Sequence, residues 1–190
     1  MRKNLGSLPG VFPMPVLMVA TYDENEKVDV MNVAWGNICG MDKIALNLAP
    51  ERKTLKNIRL RNAFTVSLAD EAHIKEADFL GTASGNVMSD KFERTGLHAV
   101  RSSRVDAPII EEFPVTLECE VAEIRESFGE IKVIGIIVNV SADEKVLDEN
   151  GKVSAGKLNA IMFDQFQNSY YTVGKKIADA WRVGAEFMKK

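Results

Sequence analysis

Apolar positions along the chain fall into short runs cut by polar turns, a spacing that predicts strands more often than helices. Val16–Tyr22 is a β-branched, apolar run and reads as a buried strand. Asp23-Glu24-Asn25-Glu26-Lys27 is a polar turn, and Val28–Trp35 is the next strand, so the two predict a hairpin. Gly36 and Gly40 bracket a loop that holds Asn37 and Cys39. Ile44–Leu48 is a short third strand. Thr54–Arg61 predicts a first helix, with Leu55 and Ile58 at i, i+3 spacing. Phe64–Ala69 is again a strand, and Ala72–Leu80 a helix with Gly81 just past its end.

The strongest strands are Val115–Ile124 and Ile131–Val140, joined as a hairpin by Ser127-Phe128-Gly129-Glu130. The second reads IKVIGIIVNV and is almost wholly apolar, which predicts burial of both its faces. Asp148-Glu149-Asn150-Gly151 is a further turn. Val173, Ile177, Trp181 and Met188 mark a predicted C-terminal amphipathic helix, with Trp181 as a core or interface anchor. The count is about six to eight strands with helices between them. So many antiparallel hairpins predict a mainly β, α+β barrel rather than a parallel sheet. No repeat or linker divides residues 1–190, which predicts a single domain.

Composition narrows the function classes. Apolar residues make up 46% and charged residues 27%, an ordinary globular balance. A net charge of −3, with no basic arm, argues against nucleic-acid binding. Cys39 and Cys119 cannot build a disulfide framework and suit a reducing cytoplasm. His73 and His98 lie at no metal spacing from either, so no metal site is expected. Pro9, Pro13 and Pro15 interrupt the apolar N-terminus, against a signal peptide. No run nears the roughly 20 apolar residues of a membrane span.

The chemical clue is Pro50-Glu51-Arg52-Lys53-Thr54 at the start of the first helix. Thr54 is a good N-cap residue. A helix start leaves N–H groups unpaired and carries partial positive charge, to which Arg52 and Lys53 add two full charges. This is either an anion site, suited to phosphate, or a solvated basic turn. The stretch Gly81–Gly85 and the following Asp90-Lys91-Phe92 offer small residues and a cation, or a plain surface loop. There is no G-x-G-x-x-G, P-loop, H-E-x-x-H or G-x-S-x-G motif.

The chain resembles the flavin reductase-like family of FMN-binding split β-barrels, nearest its flavoredoxin branch. Four segments between about Pro13 and Tyr171 carry the resemblance: Pro15–Thr21, Val30–Trp35, Pro50–Ile58, and Phe79–Gly85 with Asp90–Phe92. Each is made of common residues; their order and spacing together are distinctive. The resemblance implies FMN as cofactor. It places Met31, Asn32, Val33, Ala34 and Trp35 along the isoalloxazine ring. Arg52, Lys53 and Thr54 fall to the phosphate, with Ser84, Gly85 and Lys91 closing the site. Related reductases often carry hydroxyls near Val33 and Ala34; here backbone groups and Asn32 would meet the flavin edge. The resemblance also implies a homodimer with FMN near its interface.

Flavin carries the electrons and the protein supplies binding and electrostatics, so no acid, base or nucleophile is assigned. Three functions follow. The first is electron transfer in the manner of flavoredoxin, with a redox carrier protein as donor. The second is NAD(P)H-dependent FMN reduction. The third is flavin binding without turnover.

Overall fold

In the computed structural model, which describes residues 1–188, the N-terminal segment reaches β1 (Met14–Pro15) and passes at once into β2 (Leu17–Tyr22). β3 (Val28–Val33) returns against β2 through the predicted polar turn, where Asp23 accepts from the N–H groups of Asn25 and Lys27. Then come β4 (Gly36–Ile38), β5 (Lys43–Leu48), α1 (Lys53–Arg61), β6 (Ala63–Leu68) and α2 (Ile74–Thr82). Two short strands, β7 (Ala99–Arg101) and β8 (Pro108–Ile110), pair only with each other. The long hairpin β9 (Val115–Ser127) and β10 (Glu130–Ala142) follows, then α3 (Ala155–Leu158), β11 (Ile161–Asp164) and β12 (Ser169–Thr172).

Seven strands form one antiparallel sheet in the order β3-β2-β6-β9-β10-β5-β4. Its two outermost strands, β3 and β4, are consecutive in the chain, with only Ala34 and Trp35 between them. Three peptide steps span at most about 11 Å, so the sheet curls until its edges meet. The result is a split barrel: the hairpins predicted a barrel, and the family resemblance a split one.

The concave face encloses Leu17, Val19, Val33, Leu46, Phe64 and Val66, sealed by Leu55 and Ile58 of α1. The outer face of β2 and β3, carrying Met18, Ala20 and Val30, packs on Ala77 and Leu80 of α2. β2 is therefore buried on both faces along its whole length. β10 is not: Ile131 and Val133 are buried, whereas Val138 and Val140 are exposed. Its apolar run overestimated its burial because the hairpin extends past the core. That hairpin turns through Phe128 and Gly129, both at positive φ.

Two further expectations are corrected. Gly81 lies within α2 rather than after it, because a Cβ there would stand 2.9 Å from that of Asn32 and glycine lets the helix close on β3. The C-terminal helix is absent: residues 173–184 form no helix, and only a 3₁₀ turn occupies Ala185–Met188. Trp181 is 97% exposed and anchors no core in this chain. Gly174 and Gly184 weaken helix formation there, and no surface of the same chain receives the apolar stripe. Among the described residues no helix is long and apolar enough to cross a membrane.

The register shift at Ile134/Gly135 brings Gly135 against the core, where a Cβ would lie 2.5 Å from Phe64 Cζ. Gly135→Ala should cost about 1–3 kcal/mol by overpacking. Urea unfolding checks this, and Phe64→Leu in the same chain should recover part of the loss.

Candidate functional site

Two recesses adjoin where α1, α2 and the corner after β3 meet. The first is a cationic pocket lined by Asp29, Met31, Arg52, Lys53, Thr54, Gly81, Ser84, Gly85 and Lys91 among others. The second is a slot of about 280 Å³ whose walls include Met31, Asn32, Val33, Ala34, Trp35 and Phe163. Met31 and Arg52 line both. All eleven residues singled out in the sequence thus line one recess or the other.

The cationic pocket is built around a group that the sequence reading missed. Asp29 of β3 is buried, 2% exposed. Its Oδ2 accepts from the Thr54 hydroxyl at 2.6 Å, and its Oδ1 lies 3.7 Å from Lys91 Nζ. Lys91 Nζ also donates to the carbonyls of Leu80 and Ala83, both at 3.2 Å, and so satisfies carbonyls near the C-terminal end of α2. Burial holds the Lys91 ammonium below its ordinary pKa; Asp29 opposes that shift, and Arg52 and Lys53 add to it. Gly85 permits this closeness, since a Cβ there would stand 2.4 Å from Asp29 Oδ1.

One expectation changes in detail. Thr54 does not cap α1. The N-cap is Arg52, with no side-chain cap, and the Thr54 hydroxyl turns to Asp29 instead. A charged acceptor in a buried site outweighs a neutral capping bond. Lys53 is held at 3.0 Å by Asp23. Burial alone would raise the Asp23 carboxyl, but the Lys53 hydrogen bond and two backbone N–H groups bring its pKa below the usual value. Arg52 is exposed and makes no side-chain hydrogen bond or ion pair among the described residues. The start of α1 leaves the N–H groups of Lys53 and Thr54 without intrahelical partners.

In the slot, the Asn32 amide donates to the Ala77 carbonyl at 3.3 Å, which ties β3 to α2. Beside it the Tyr170 hydroxyl donates to Asp78 at 2.9 Å, and burial with that bond pushes its pKa up to about 12. Trp35, 47% exposed, stands at the rim, its carbonyl accepting from Asn47 N–H at 2.8 Å. Asn47, Glu130, Phe163 and Gln165 also line the slot. These come from strands and a turn far apart in sequence, and no local pattern marks them. Asp29 did carry a signal, a lone acid inside the apolar run Val28–Val33. Neither histidine lines either recess: His73 is paired with Asp70 and His98 with Glu112. Among the described residues no cluster of metal-ligating side chains occurs.

The donor set suits a phosphate monoester: a free guanidinium, a buried ammonium and the open N–H groups of a helix start. The enclosed volume is about 10 Å³, and the loop after α2 forms one wall through Ala83, Ser84 and Gly85. That loop is tied to the Arg52 segment by Asn86, whose amide donates to the Glu51 carbonyl at 2.8 Å.

Comparison with known proteins shows the family and the fold. The family described as the flavin reductase like domain matches residues 9–164. The flavoredoxin of Desulfovibrio vulgaris (Miyazaki F) superposes with a TM-score of 0.92 at 34% identity, covering 97% of this chain and 100% of its own. A flavoredoxin from Methanosarcina acetivorans shares the fold, with TM-score 0.89 and 22% identity over 99% of this chain and 100% of its own. A protein of Aeropyrum pernix is 29% identical over 141 residues, which are 70% of this chain and 54% of the relative. The chain therefore spans about half the length of that relative.

Thr54→Val keeps the side-chain shape and removes the donor to Asp29. It should cost about 1.5–3 kcal/mol, the range for a hydrogen bond to a buried charge. Loss of an ordinary cap would cost about 1 kcal/mol. Urea unfolding separates the two; a loss of a few tenths would deny Asp29 its role under the pocket.

Proposed function

We propose, on the premise that the chain belongs to the family of flavin reductase-like domains, that it binds FMN and works as an electron-transfer flavoprotein. The observation that carries this is the junction of slot and cationic pocket at Met31 and Arg52. A planar ring system and a single phosphate ester on a short chain have those two shapes. One phosphate loop, and no pyrophosphate-type fingerprint in the sequence, favours FMN over a dinucleotide flavin.

When bound, FMN supplies a ring that takes up and releases electrons. The protein's part is to hold and orient it. Met31 to Trp35 would line the ring, with β3 fixed to α2 by Asn32. Arg52, Lys91 and the start of α1 would hold the phosphate, while Lys53, tied to Asp23, adds charge without leaving its partner. Glu130 is the one carboxylate of the slot, placed at the exposed hairpin turn, and no histidine stands with it. A site that protonates an organic substrate needs a positioned acid or base. A site that delivers electrons needs an accessible ring edge, and the slot opens to solvent beside Trp35.

A second reading, NAD(P)H-dependent flavin reduction, is favoured by the same opening, since hydride transfer to flavin needs no protein acid. The donor is then NADH or NADPH in place of a carrier protein.

FMN reconstitution should give a yellow protein. Arg52→Ala should weaken FMN about tenfold, roughly 1.4 kcal/mol, the lower end for a charge-assisted bond because Arg52 is exposed. Riboflavin affinity should barely change. Equal losses in fluorescence titrations with the two flavins would remove the phosphate assignment.

Anaerobically photoreduced protein should be reoxidised by a low-potential carrier protein or free FMN faster than by quinones, enones or nitro compounds. Stopped-flow absorbance decides it. Rapid turnover of the organic panel alone would overturn the electron-transfer reading, and rapid flavin bleaching by NADH or NADPH would establish the second one.

A further inference from the structure

The cationic pocket has an acid in its wall. Asp29 lines it with Arg52, Lys53 and Lys91, and these four are its charged lining residues. The Asp29 carboxylate is buried, and only one of its oxygens is hydrogen-bonded. Oδ2 accepts from the Thr54 hydroxyl at 2.6 Å. Oδ1 has no hydrogen-bond donor among the described residues. Lys91 Nζ stands 3.7 Å from it, too far for a hydrogen bond, and donates instead to the carbonyls of Leu80 and Ala83. A buried carboxylate oxygen without a donor is costly, and a ligand that brings a donor into the pocket removes that cost.

The charge available to an anion is also small. Five charged groups meet here: Asp23 from the turn after β2, Asp29 from β3, Arg52 and Lys53 from the start of α1, and Lys91 from the segment after α2. Lys53 is held by Asp23 at 3.0 Å, and Lys91 faces Asp29. Three cations against two carboxylates leave one positive charge, that of Arg52. A phosphate monoester passes from monoanion to dianion at a pKa of about 6. The dianion would turn the pocket net negative and set an acceptor-only oxygen against Asp29 Oδ1. Two anionic oxygens at hydrogen-bond distance need a proton between them. The monoanion meets both conditions, since its single charge matches the pocket's and its P–OH is a donor.

We propose that the pocket selects the singly protonated form of a phosphate monoester, its P–OH donating to Asp29 Oδ1 and its charged oxygens falling to Arg52 and the start of α1. This rests on the assignment of the pocket to the flavin's phosphate, and it makes retention of that ligand depend on pH. The bound phosphate keeps its proton to a higher pH than the free ester. Affinity is therefore full below about pH 6 and falls above it, roughly tenfold per pH unit while the bound form stays protonated. Riboflavin, which has no phosphate, lacks this dependence.

Fluorescence titrations of the full chain with FMN and with riboflavin, run from about pH 5.5 to about pH 8 at fixed ionic strength, test this. FMN affinity should fall at least tenfold across the range while riboflavin affinity stays level. FMN bound more tightly than riboflavin, but with an affinity that stays level or rises with pH, overturns the proposal and leaves the phosphate assignment standing. FMN bound no more tightly than riboflavin at any pH overturns both. Asp29→Asn separates the proposed proton from that of Lys91, whose ammonium burial already holds below its ordinary pKa and which Asp29 supports. The Asn amide keeps an acceptor for Thr54 and offers the pocket an N–H, which suits the dianion. FMN affinity of this variant should therefore stay level or rise with pH; a fall as steep as in the wild type assigns the effect to Lys91 and overturns the proposal. ³¹P NMR of the wild-type complex reads the proton without any substitution. The bound resonance should stay at the position of the free monoanion up to about pH 7.5, and a resonance at the dianion position overturns the proposal.

Discussion

The structure hangs on a two-residue link. Ala34 and Trp35 join the first and last strands of a seven-stranded sheet, so the sheet must curl to bring β3 beside β4. Backbone geometry sets this closure before any side chain is considered. It fixes where the core lies, since the concave face has one lining and α1 plugs it. It also fixes where the slot lies, because Trp35 and its carbonyl stand at the seam. Fold and site share one cause.

The second organising element is a buried charge. Asp29 lies under three cations, two of them held by carboxylates: Lys91 close to Asp29 itself, and Lys53 by Asp23. Without these counter-charges, cations gathered at a helix start would repel one another and strain the helix. With them, the pocket keeps Arg52 as its one cation free of a side-chain partner among the described residues. Lys91 does double duty, since the same ammonium that faces the pocket closes the carbonyl end of α2. Stability and ligand attraction are drawn from the same small set of groups.

Much of this was legible in the sequence, for local reasons. Alternating or wholly apolar runs located β2, β3, β5, β6, β9 and β10, each within a few residues, because those strands bury at least one face. The basic segment before α1 was legible as an anion site because its charges are adjacent in the chain. What escaped was relational. Strands of two to four residues, such as β1, β4, β11 and β12, have too little length for periodicity. Thr54 looked like a cap because its partner, Asp29, is 25 residues away. The C-terminal stripe looked helical because apolar spacing records a need for a partner surface and says nothing of which chain supplies it.

The curled sheet leaves two outer strands, and their treatment differs. β3 is six residues long, and α2 lies against it, with Ala77 accepting from Asn32. β4 is only three residues long, begins with a glycine and runs into an exposed loop at Cys39. A long bare strand edge invites another chain to add on, the first step towards ordered aggregates. In the seven-stranded sheet α2 packs on the outer face of β3, and the other outer strand is a stub too short to template a neighbour. Resistance to runaway strand addition is thus built into how the sheet was cut.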